Sequence, residues 1–400
     1  MLDFSRLKTL DDVDVAGRRV IVRADLNVPV RDGRVTDKTR LARVAPCLLD
    51  LAARGAKVIV ISHFGRPKAA PDAEYSLRPV AEAMTGILMQ PVAFADDCVG
   101  PSADAAVASL PAGRIAVLEN LRFHPGEEKN DPDFAAALAR NGDMFVSEAF
   151  STAHRAHAST EAITRLLPSY AGPLMMEEIS ALRDVLEQPT RPTAAVVGGA
   201  KVSTKIPILE NLVAKVDKLI IGGGMANTFL AAQGLEVGRS LQEPDFAGTA
   251  RDIMRAAESA GCTILLPTDA VVASEFKVGA RARVVPVTAV PQDQMILDVG
   301  PGTVAALTHE LATCNTLLWN GPLGAFEIEP FGKGTFALAR VAAALTEAGA
   351  LVSVAGGGDT VAALNAAGVT SGFTYVSTAG GAFLEWLEGR VLPGVVALAR

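Results

Sequence analysis

Residues 194–205 read AAVVGGAKVSTK: an apolar run, a pair of glycines, and a segment with lysines at positions 201 and 205. A short apolar run predicts a strand that is buried on both faces. The two glycines allow the chain to turn sharply before a helix begins. The same order of apolar run, turn and helical segment recurs along the chain, and it is typical of parallel strands joined by crossover helices.

This pattern predicts a series of strands that alternate with helical segments. The clearest strands are predicted at residues 19–23, 57–62, 115–118, 144–146, 194–197, 218–221, 263–266, 316–319, 351–355 and 374–377. Helices with an apolar stripe are predicted at residues 41–54, 133–141, 336–348 and 361–367. We therefore expect the α/β class, with two doubly wound parallel-sheet (Rossmann-like) lobes joined by a hinge helix.

The bulk composition limits the classes of partner and compartment. A chain of 400 residues is long enough for two or three domains, and a net charge of −7 argues against nucleic acid or an anionic membrane as the main partner. Charged residues interrupt the first 15 positions, unlike a signal peptide, and no later apolar run is long enough to span a bilayer. The four cysteines form no C-x-x-C pair, which favours buried reduced thiols. We expect a cytoplasmic protein.

The ends of the predicted strands differ between the two halves of the chain. In the first half they run into polar side chains, as in RADLN at 23–27, SHFGR at 62–66, ENLR at 119–122 and SE at 147–148. In the second half they run into glycines, at 198–199, 222–224, 356–358 and 380–381. Ligands of open parallel sheets bind beyond the carboxyl ends of the strands. The first lobe should therefore hold an anion with side chains, and the second a phosphate chain with backbone amides.

Two glycine-rich junctions in the second half are candidate phosphate sites. Lys201 and Lys205 are expected to share one helix face, where like charges are unfavourable unless an anion lies between them; the alternative is a solvated pair. In GGGDT at 356–360, Asp359 or Thr360 is placed to cap the following helix, although a cap does not require three glycines. Close approach of a phosphate chain would explain the glycines, and Asp359 would then bind Mg²⁺.

A third segment of the second half, WNGPLGAFE at 319–327, turns twice through glycine and proline and ends in an acid. Such a loop can form the wall of an adenine site, with Glu327 accepting hydrogen bonds from ribose hydroxyls. The alternative is an ordinary Gly-Pro turn.

Basic side chains mark the strand ends of the first half. They are Arg23, Arg40, Arg66, Arg122, Arg155 and His63. Arginine suits a two-point grip on carboxylate or phosphate, although each residue taken singly is more often a surface residue. His154 and His157 are three residues apart, but no third metal ligand is evident, so packing or a hydrogen bond to substrate is the favoured interpretation.

Together these segments resemble the signatures of the phosphoglycerate kinase family, in that family's order and through nearly the whole chain. The matching segments are RADLNVP at 23–29, SHFGRP at 62–67, LENLRF at 118–123, TAHRAH at 152–157, the Lys201 and Lys205 segment, GGGM at 222–225, and residues 319–327 and 356–360. The resemblance implies an N-terminal domain for phosphoglycerate at 1–172, a hinge helix at 173–190, a nucleotide domain at 191–388, and a tail at 389–400 that returns to the first domain. It also implies ATP or ADP as co-substrate, Mg²⁺ as cofactor, and a monomer.

The resemblance also assigns residues to each substrate. For 3-phosphoglycerate or 1,3-bisphosphoglycerate they are Asp25, Leu26, Asn27, Arg40, His63, Phe64, Gly65, Arg66, Arg122 and Arg155. For the nucleotide they are Gly199, Ala200, Lys201, Lys205, Gly224, Asn320, Pro322, Glu327, Gly356, Gly357, Gly358, Asp359 and Thr360, with Asp359 on the metal. Transfer would be direct and in line, with Arg40, Lys201 and the amides of Gly357 and Gly358 meeting the migrating group after hinge closure.

Five positions depart from the family pattern: Ser147, Glu148, Ser151, Glu177 and Ala379. None of them removes a residue assigned to chemistry. A nucleotide-dependent oxidoreductase is a rival interpretation, but it predicts a G-x-G-x-x-G fingerprint that the chain lacks. A catalytically silent scaffold of the same fold is a second rival. It would normally have lost Arg40, Lys201, Lys205 or Asp359, and all four are present.

Overall fold

The structure is a computed structural model that describes residues 6–400. The chain divides into two compact units. The first extends to Ile179 and includes Val391–Arg400, and the second is Ser180–Arg390. The division falls inside one helix, Pro173–Leu186.

The strands of the described chain are β1 Arg19–Arg23, β2 Val30–Arg31, β3 Arg34–Val35, β4 Lys57–Ile61, β5 Val92–Ala95, β6 Ile115–Leu118, β7 Met144–Ser147, β8 Ser169–Ala171, β9 Thr193–Gly198, β10 Lys218–Gly222, β11 Thr263–Leu265, β12 Asp269–Ala273, β13 Ala282–Pro286, β14 Met295–Val299, β15 Thr316–Asn320, β16 Val352–Gly356 and β17 Tyr375–Ser377. The α-helices are α1 Thr39–Ala53, α2 Arg78–Leu88, α3 Pro101–Ser109, α4 Pro132–Ala139, α5 Pro173–Leu186, α6 Ile206–Val213, α7 Gly224–Ala232, α8 Ala247–Ala260, α9 Pro301–Leu311, α10 Lys333–Glu347, α11 Gly358–Ala367, α12 Gly381–Leu387 and α13 Pro393–Leu398.

The first unit is built on a six-stranded parallel sheet in the order β5-β6-β4-β1-β7-β8. Its central strands are buried almost throughout, as their apolar runs predict. The four strands predicted in this half are confirmed. The edge strands β5 and β8 were not predicted, because edge strands are short and only partly buried, which makes their apolar signal weak.

The second unit contains a six-stranded parallel sheet in the order β11-β10-β9-β15-β16-β17. The six strands predicted in this half are confirmed, and the parallel α/β class is correct for both units. An antiparallel sheet, β13-β12-β14, was missed. Its outer strands are partly exposed, and β13 reads ARVVP, with two valines between an arginine and a proline, so no long apolar run marks it.

Two predictions about helix starts are wrong. Lys201 and Lys205 do not share a helix face: Lys201 is extended, a 3₁₀ turn spans Val202–Thr204, and α6 begins only at Ile206. Pro207, in the first turn of α6, fits this later start because proline suits the first turn of a helix. At α11, neither Asp359 nor Thr360 caps the helix, since Gly357 precedes it at φ +99° without a side-chain cap.

The helix α5 is held at its start by Glu148, which follows β7. The carboxylate Oε2 accepts a hydrogen bond from Leu174 N at 2.8 Å. A Cβ at Gly172 would lie 2.4 Å from this oxygen, so only glycine leaves room for the carboxylate. Glu148 is 3% exposed, and burial raises its pKa to about 7.

A second buried acid, Asp298 at the end of β14, holds the start of α10. Its Oδ2 accepts from Gly334 N at 2.8 Å, and its Oδ1 accepts from Val299 N at 2.9 Å. Both carboxylate oxygens therefore act as acceptors for backbone amides.

The structure also shows the state of the cysteines and the apolar character of the helices. All four cysteines are buried and free, as expected. Among residues 6–400, no helix combines the length and the apolar character that crossing a membrane requires.

Candidate active site

The loops at the carboxyl ends of β1 and β4 are joined to each other in the first unit. Asn27 Oδ1 accepts from Gly65 N at 3.0 Å, and Leu26 N donates to Ser62 Oγ at 3.0 Å. Phe64, in the loop after β4, is buried. The parallel register of β1 and β4 brings their ends to one edge, so residues nearly 40 positions apart meet there.

Arg40, near the start of α1, is tied to the same edge. Its Nη1 donates to Asp25 Oδ2 at 3.0 Å and to the Asn27 carbonyl at 2.9 Å. Ser151 Oγ also donates to Asp25 Oδ2, at 2.6 Å. Burial acts to raise the pKa of Asp25, but Arg40, His63 and these hydrogen bonds outweigh it, and the pKa lies below its usual value. Asp25 is therefore a charged anchor that orients Arg40.

His63 lies among the arginines of the first unit. Its Nδ1 is 3.2 Å from Arg23 Nη2. Burial, together with the charges of Arg23, Arg122 and Arg155, lowers the pKa of His63 to about 3. The imidazole is therefore neutral at pH 7, and three arginine charges act on it.

The remaining predicted residues extend this positive region. Arg122 Nη1 donates to the Gly65 carbonyl at 2.6 Å. Burial lowers the pKa of Arg122, and the charges of Arg155 and Arg66 contribute to that shift. Arg66 and Arg155 are exposed. Burial and the nearby arginines also lower the pKa of His157, to about 4, which makes it part of the same environment.

Several residues that organise this region were not among the predicted site residues. Asn120 is fully buried; its Oδ1 accepts from Phe64 N and Arg122 N, and its Nδ2 donates to the Phe64 and Tyr75 carbonyls. Its position two residues after the apolar run of β6 was an available signal. Ser151, noted only as a departure from the family pattern, supplies the hydrogen bond to Asp25 described above.

In the second unit, glycines allow the loops that follow neighbouring strands to touch. A Cβ at Gly198, the last residue of β9, would lie 1.9 Å from the Pro322 carbonyl oxygen. A Cβ at Gly223 would lie 2.6 Å from the Gly199 carbonyl oxygen, and one at Gly224 would lie 2.7 Å from the Ala200 carbonyl oxygen. No larger side chain fits at these contacts.

Asn320, at the end of β15, connects three of the predicted nucleotide segments. Its Oδ1 accepts a hydrogen bond from Lys205 Nζ, and its Nδ2 donates to the Gly356 carbonyl at 2.8 Å. A Cβ at Gly357 would lie 2.7 Å from the same Nδ2. Thr360 Oγ1 accepts from Gly321 N at 2.7 Å, which explains why this hydroxyl does not cap α11. The ends of β15 and β16 and the start of α11 thus form one network.

The charged residues of this region are more exposed than the network. Lys201 and Asp359 are exposed, and Gly358 leaves the first turn of α11 open to solvent. Burial lowers the pKa of Lys205, while the charges of Asp359 and Glu388 act in the opposite direction. Glu327 is exposed farther along the loop after β15. A helix start with open amides close to Lys205 favours a bound anion.

In the described part of the chain, His154 and His157 do not belong to a cluster of possible metal ligands. Within residues 6–400, one group of possible ligands converges, Asp97, Cys98 and His124, and it does not include His154 or His157. Asp97 Oδ1 lies 2.7 Å from His124 Nε2 and accepts from Cys98 N at 2.7 Å. These internal hydrogen bonds account for the cluster. Asp359, a single exposed carboxylate beside the predicted phosphate site, fits Mg²⁺, which commonly takes one or two carboxylates plus phosphate oxygens.

Comparison with known proteins gives one consistent result. The sequence profile named "Phosphoglycerate kinase" matches residues 10–390. The chain is 61% identical over 399 residues to a phosphoglycerate kinase of Methylorubrum extorquens (strain PA1), covering 100% of this chain and 99% of that protein. It is also 61% identical over 392 residues to one from Rhizobium meliloti, covering 98% of each. A solved phosphoglycerate kinase structure from Coxiella burnetii superposes with a TM-score of 0.92 at 41% identity, over 98% of both chains.

Proposed function

Since the chain belongs to the phosphoglycerate kinase family, we propose that its first unit binds the phosphoglycerate and its second unit binds the nucleotide. The reaction of the enzyme is the reversible transfer of a phosphoryl group from 1,3-bisphosphoglycerate to ADP, which gives 3-phosphoglycerate and ATP. The observation that carries the assignment is the contrast between the two units. In the first unit, arginines lie near a neutral histidine, His63. In the second unit, glycine-containing loops contact one another beside the hydrogen bond between Lys205 and Asn320.

The phosphoglycerate is proposed to bind at the ends of β1 and β4. Its contacts would come from the residues named by resemblance: Asp25, Leu26, Asn27, Arg40, His63, Phe64, Gly65, Arg66, Arg122 and Arg155. The arginines that, together with burial, keep His63 neutral also attract a doubly charged phosphate and a carboxylate. Neutral His63 can donate or accept one hydrogen bond without repelling the arginines.

The nucleotide is proposed to bind at the ends of β9, β10, β15 and β16. Backbone amides at Gly357 and Gly358 would face the phosphates, Lys201 and Lys205 would pair with them, and Glu327 would reach the ribose. Asp359 would hold Mg²⁺, which neutralises phosphate charge when bound. Gly199, Ala200, Gly224, Asn320, Pro322, Gly356 and Thr360 would form the walls of this site.

The proposed transfer is direct. An oxygen of the ADP β-phosphate attacks the acyl phosphorus in line, the bond from phosphorus to the carboxyl oxygen breaks, and the carboxylate leaves with the electron pair. Arg40, Lys201 and the amides of Gly357 and Gly358 would stabilise charge on the transferring group. Direct transfer requires the two substrates to meet. We propose that helix α5, inside which the chain divides, serves as the hinge for that approach.

The proposed domains remain residues 1–172, the hinge helix at 173–190, residues 191–388 and the returning tail at 389–400. The tail is supported by hydrogen bonds from Gly394 N to the Ala153 carbonyl and from Arg400 to Glu161. We further propose a cytoplasmic monomer; four free thiols suit a reducing compartment. Sedimentation velocity at micromolar concentration tests the monomer, and a dimer at that concentration would refute it.

The assignment of substrates is tested by binding. ATP formation from 1,3-bisphosphoglycerate and ADP in a coupled assay shows that the protein is active. Calorimetry then measures the binding of 3-phosphoglycerate and of MgADP separately. Replacing Arg122 with Ala should weaken 3-phosphoglycerate binding and leave MgADP binding within about twofold, because the two sites lie in different units. Replacing Lys205 with Ala should weaken MgADP binding and leave 3-phosphoglycerate binding within about twofold. The assignment is wrong if each variant weakens both ligands equally or if neither weakens any.

A further inference from the structure

The 3₁₀ turn between Lys201 and Lys205 is held by a carboxylate from elsewhere in the second unit. Ser203 N donates to Glu243 Oε2 at 2.9 Å, and Ser203 Oγ donates to Glu243 Oε1 at 2.6 Å. The Val202 amide also donates to this carboxylate. The first amides of a helical turn have no partner inside the turn. Glu243 supplies that partner for Val202–Thr204.

Glu243 is itself fixed to helix α7. Its backbone amide donates to Thr228 Oγ1 at 3.0 Å, and Thr228 is 1% exposed. Two residues earlier, the Leu241 carbonyl accepts from Asn227 Nδ2 at 3.0 Å. The segment that carries Glu243 is therefore anchored at two points to buried side chains of one helix. Helix α7 begins at Gly224, a residue of the proposed nucleotide site.

The charge of Glu243 is retained at neutral pH. Burial acts to raise its pKa, but the hydrogen bonds from Ser203 and Val202 and the charge of Lys201 outweigh burial, and the pKa lies below its usual value. The carboxylate thus combines two effects. It orders the turn, and it lies close enough to Lys201 to offset part of the lysine charge that would attract phosphate.

We propose that Glu243 is a positioning residue for the nucleotide, which orders the Val202–Thr204 turn and so holds Lys201 and Lys205 where the phosphates bind. The inference rests on the proposed nucleotide role of these lysines. Glu243 does not touch substrate; it acts through the backbone and hydroxyl of Ser203. Its ordering effect outweighs its repulsion of phosphate, because three hydrogen bonds act on the turn itself.

The two effects are separated by paired substitutions. Glu243→Gln removes the charge but keeps the interaction, since the amide oxygen can accept from Ser203 N and the amide nitrogen can donate to Ser203 Oγ. Glu243→Ala removes both the charge and the hydrogen bonds with Ser203. We expect Glu243→Ala to lower kcat/KM for MgATP by roughly 10- to 100-fold, because a displacement of about 1 Å near the reacting groups costs that much. We expect Glu243→Gln to stay within about threefold of the parent enzyme.

The second substrate and two further variants serve as controls. The KM for 3-phosphoglycerate should be unchanged in Glu243→Ala, and Ser203→Ala, which keeps the carboxylate, should raise the KM for MgATP by about threefold. Glu310→Gln breaks the Lys218–Glu310 ion pair in the same unit and should leave both KM values unchanged. Thermal unfolding identifies any variant that does not fold. Ser203→Ala keeps the test decisive if Glu243→Ala is one of them.

Three outcomes would overturn the inference. If Glu243→Gln and Glu243→Ala both bind MgATP more tightly, Glu243 acts only through its charge. If both KM values rise together in Glu243→Ala, its role is general to the fold. If Lys201→Ala is impaired but Glu243→Ala and Ser203→Ala match the parent, the turn needs no anchor. Lys201→Ala and Lys205→Ala with unchanged MgATP kinetics would instead refute the proposed nucleotide site.

Discussion

The contact between Gly198 and the loop after β15 gives a sharp prediction. In Gly198→Ala the new Cβ would lie 1.9 Å from the Pro322 carbonyl oxygen, 2.8 Å from its carbon and 2.9 Å from the Gly321 carbonyl carbon. Real Cβ atoms essentially never come within 3.0 Å of such atoms, so the loop must move by at least 3.0 − 1.9 = 1.1 Å. The obstacle is backbone on both sides, so no side-chain rotation relieves it.

The displacement should reach the nucleotide site, because the moved loop starts directly after Asn320, the hydrogen-bond partner of Lys205. A shift of about 1 Å near the reacting groups costs about 100-fold in rate. Overpacking of this kind also costs about 1–3 kcal/mol in stability. We therefore expect kcat/KM for MgATP to fall by about 100-fold, and the KM for 3-phosphoglycerate to remain unchanged.

The assay is steady-state kinetics with each substrate varied, together with thermal unfolding. Gly248→Ala is the matched control, since Gly248 lies in α8 of the same unit and an added Cβ meets nothing within 4 Å. That variant should keep full activity and should be no less stable, because alanine suits a helix better than glycine. Activity of Gly198→Ala within threefold of the parent, at unchanged melting temperature, would refute the steric argument.

Three further predictions concern the transferring group and two buried acids. Arg40→Ala and Lys201→Ala should lower kcat far more than they weaken ground-state binding of either substrate, measured by kinetics and calorimetry, and unchanged turnover in both would refute their roles. Glu148 has its pKa raised from 4.5 to about 7, so the folded state keeps a proton that the unfolded state loses, and stability falls as pH rises between these values by roughly 3 kcal/mol. Asp298, His63 and His157 also have shifted pKa values, so the test compares the parent with Glu148→Gln. In urea unfolding, the stability of the parent relative to Glu148→Gln should fall by this amount between pH 5 and pH 8; a stability difference that does not change with pH would contradict the prediction. Asp298→Asn should lower the free energy of unfolding by about 1–3 kcal/mol, because the new NH₂ group would face a backbone N–H where a carboxylate oxygen now accepts. Thermal unfolding measures this loss, and an unchanged melting temperature would contradict it.

The parts of the fold that were predictable share one physical feature. The ten predicted strands lie in the two parallel sheets, where both faces are covered, so local apolar composition follows burial closely. Of the strands that escaped prediction, β5, β8, β13 and β14 are edge strands with partly exposed residues, and β12 is the central strand of the small antiparallel sheet. Their pairing depends on distant partners, as in Ala270 opposite Val299, and no local pattern records it.

The candidate site also has features that the sequence shows and features that only the structure shows. Residue types and their place after strands were visible in the sequence: the arginines with His63, the glycine turns, and Lys201 with Lys205. What those residues touch was not visible. The expected shared helix face of the two lysines was wrong, because a 3₁₀ turn anchored by a residue 40 positions away replaces the first turn of the helix.

The sequence by itself determined the fold class, the order of the parallel strands along the chain, the family, and the kinds of side chain available to each substrate. These follow from short-range composition and from motifs that lie within a few residues. Only the tertiary structure decided that Asp25 orients Arg40, that burial and nearby arginines keep His63 neutral, and that Asn320 joins Lys205 to Gly356. Such contacts depend on which strand ends the sheet brings side by side, and that proximity is a property of the packed chain.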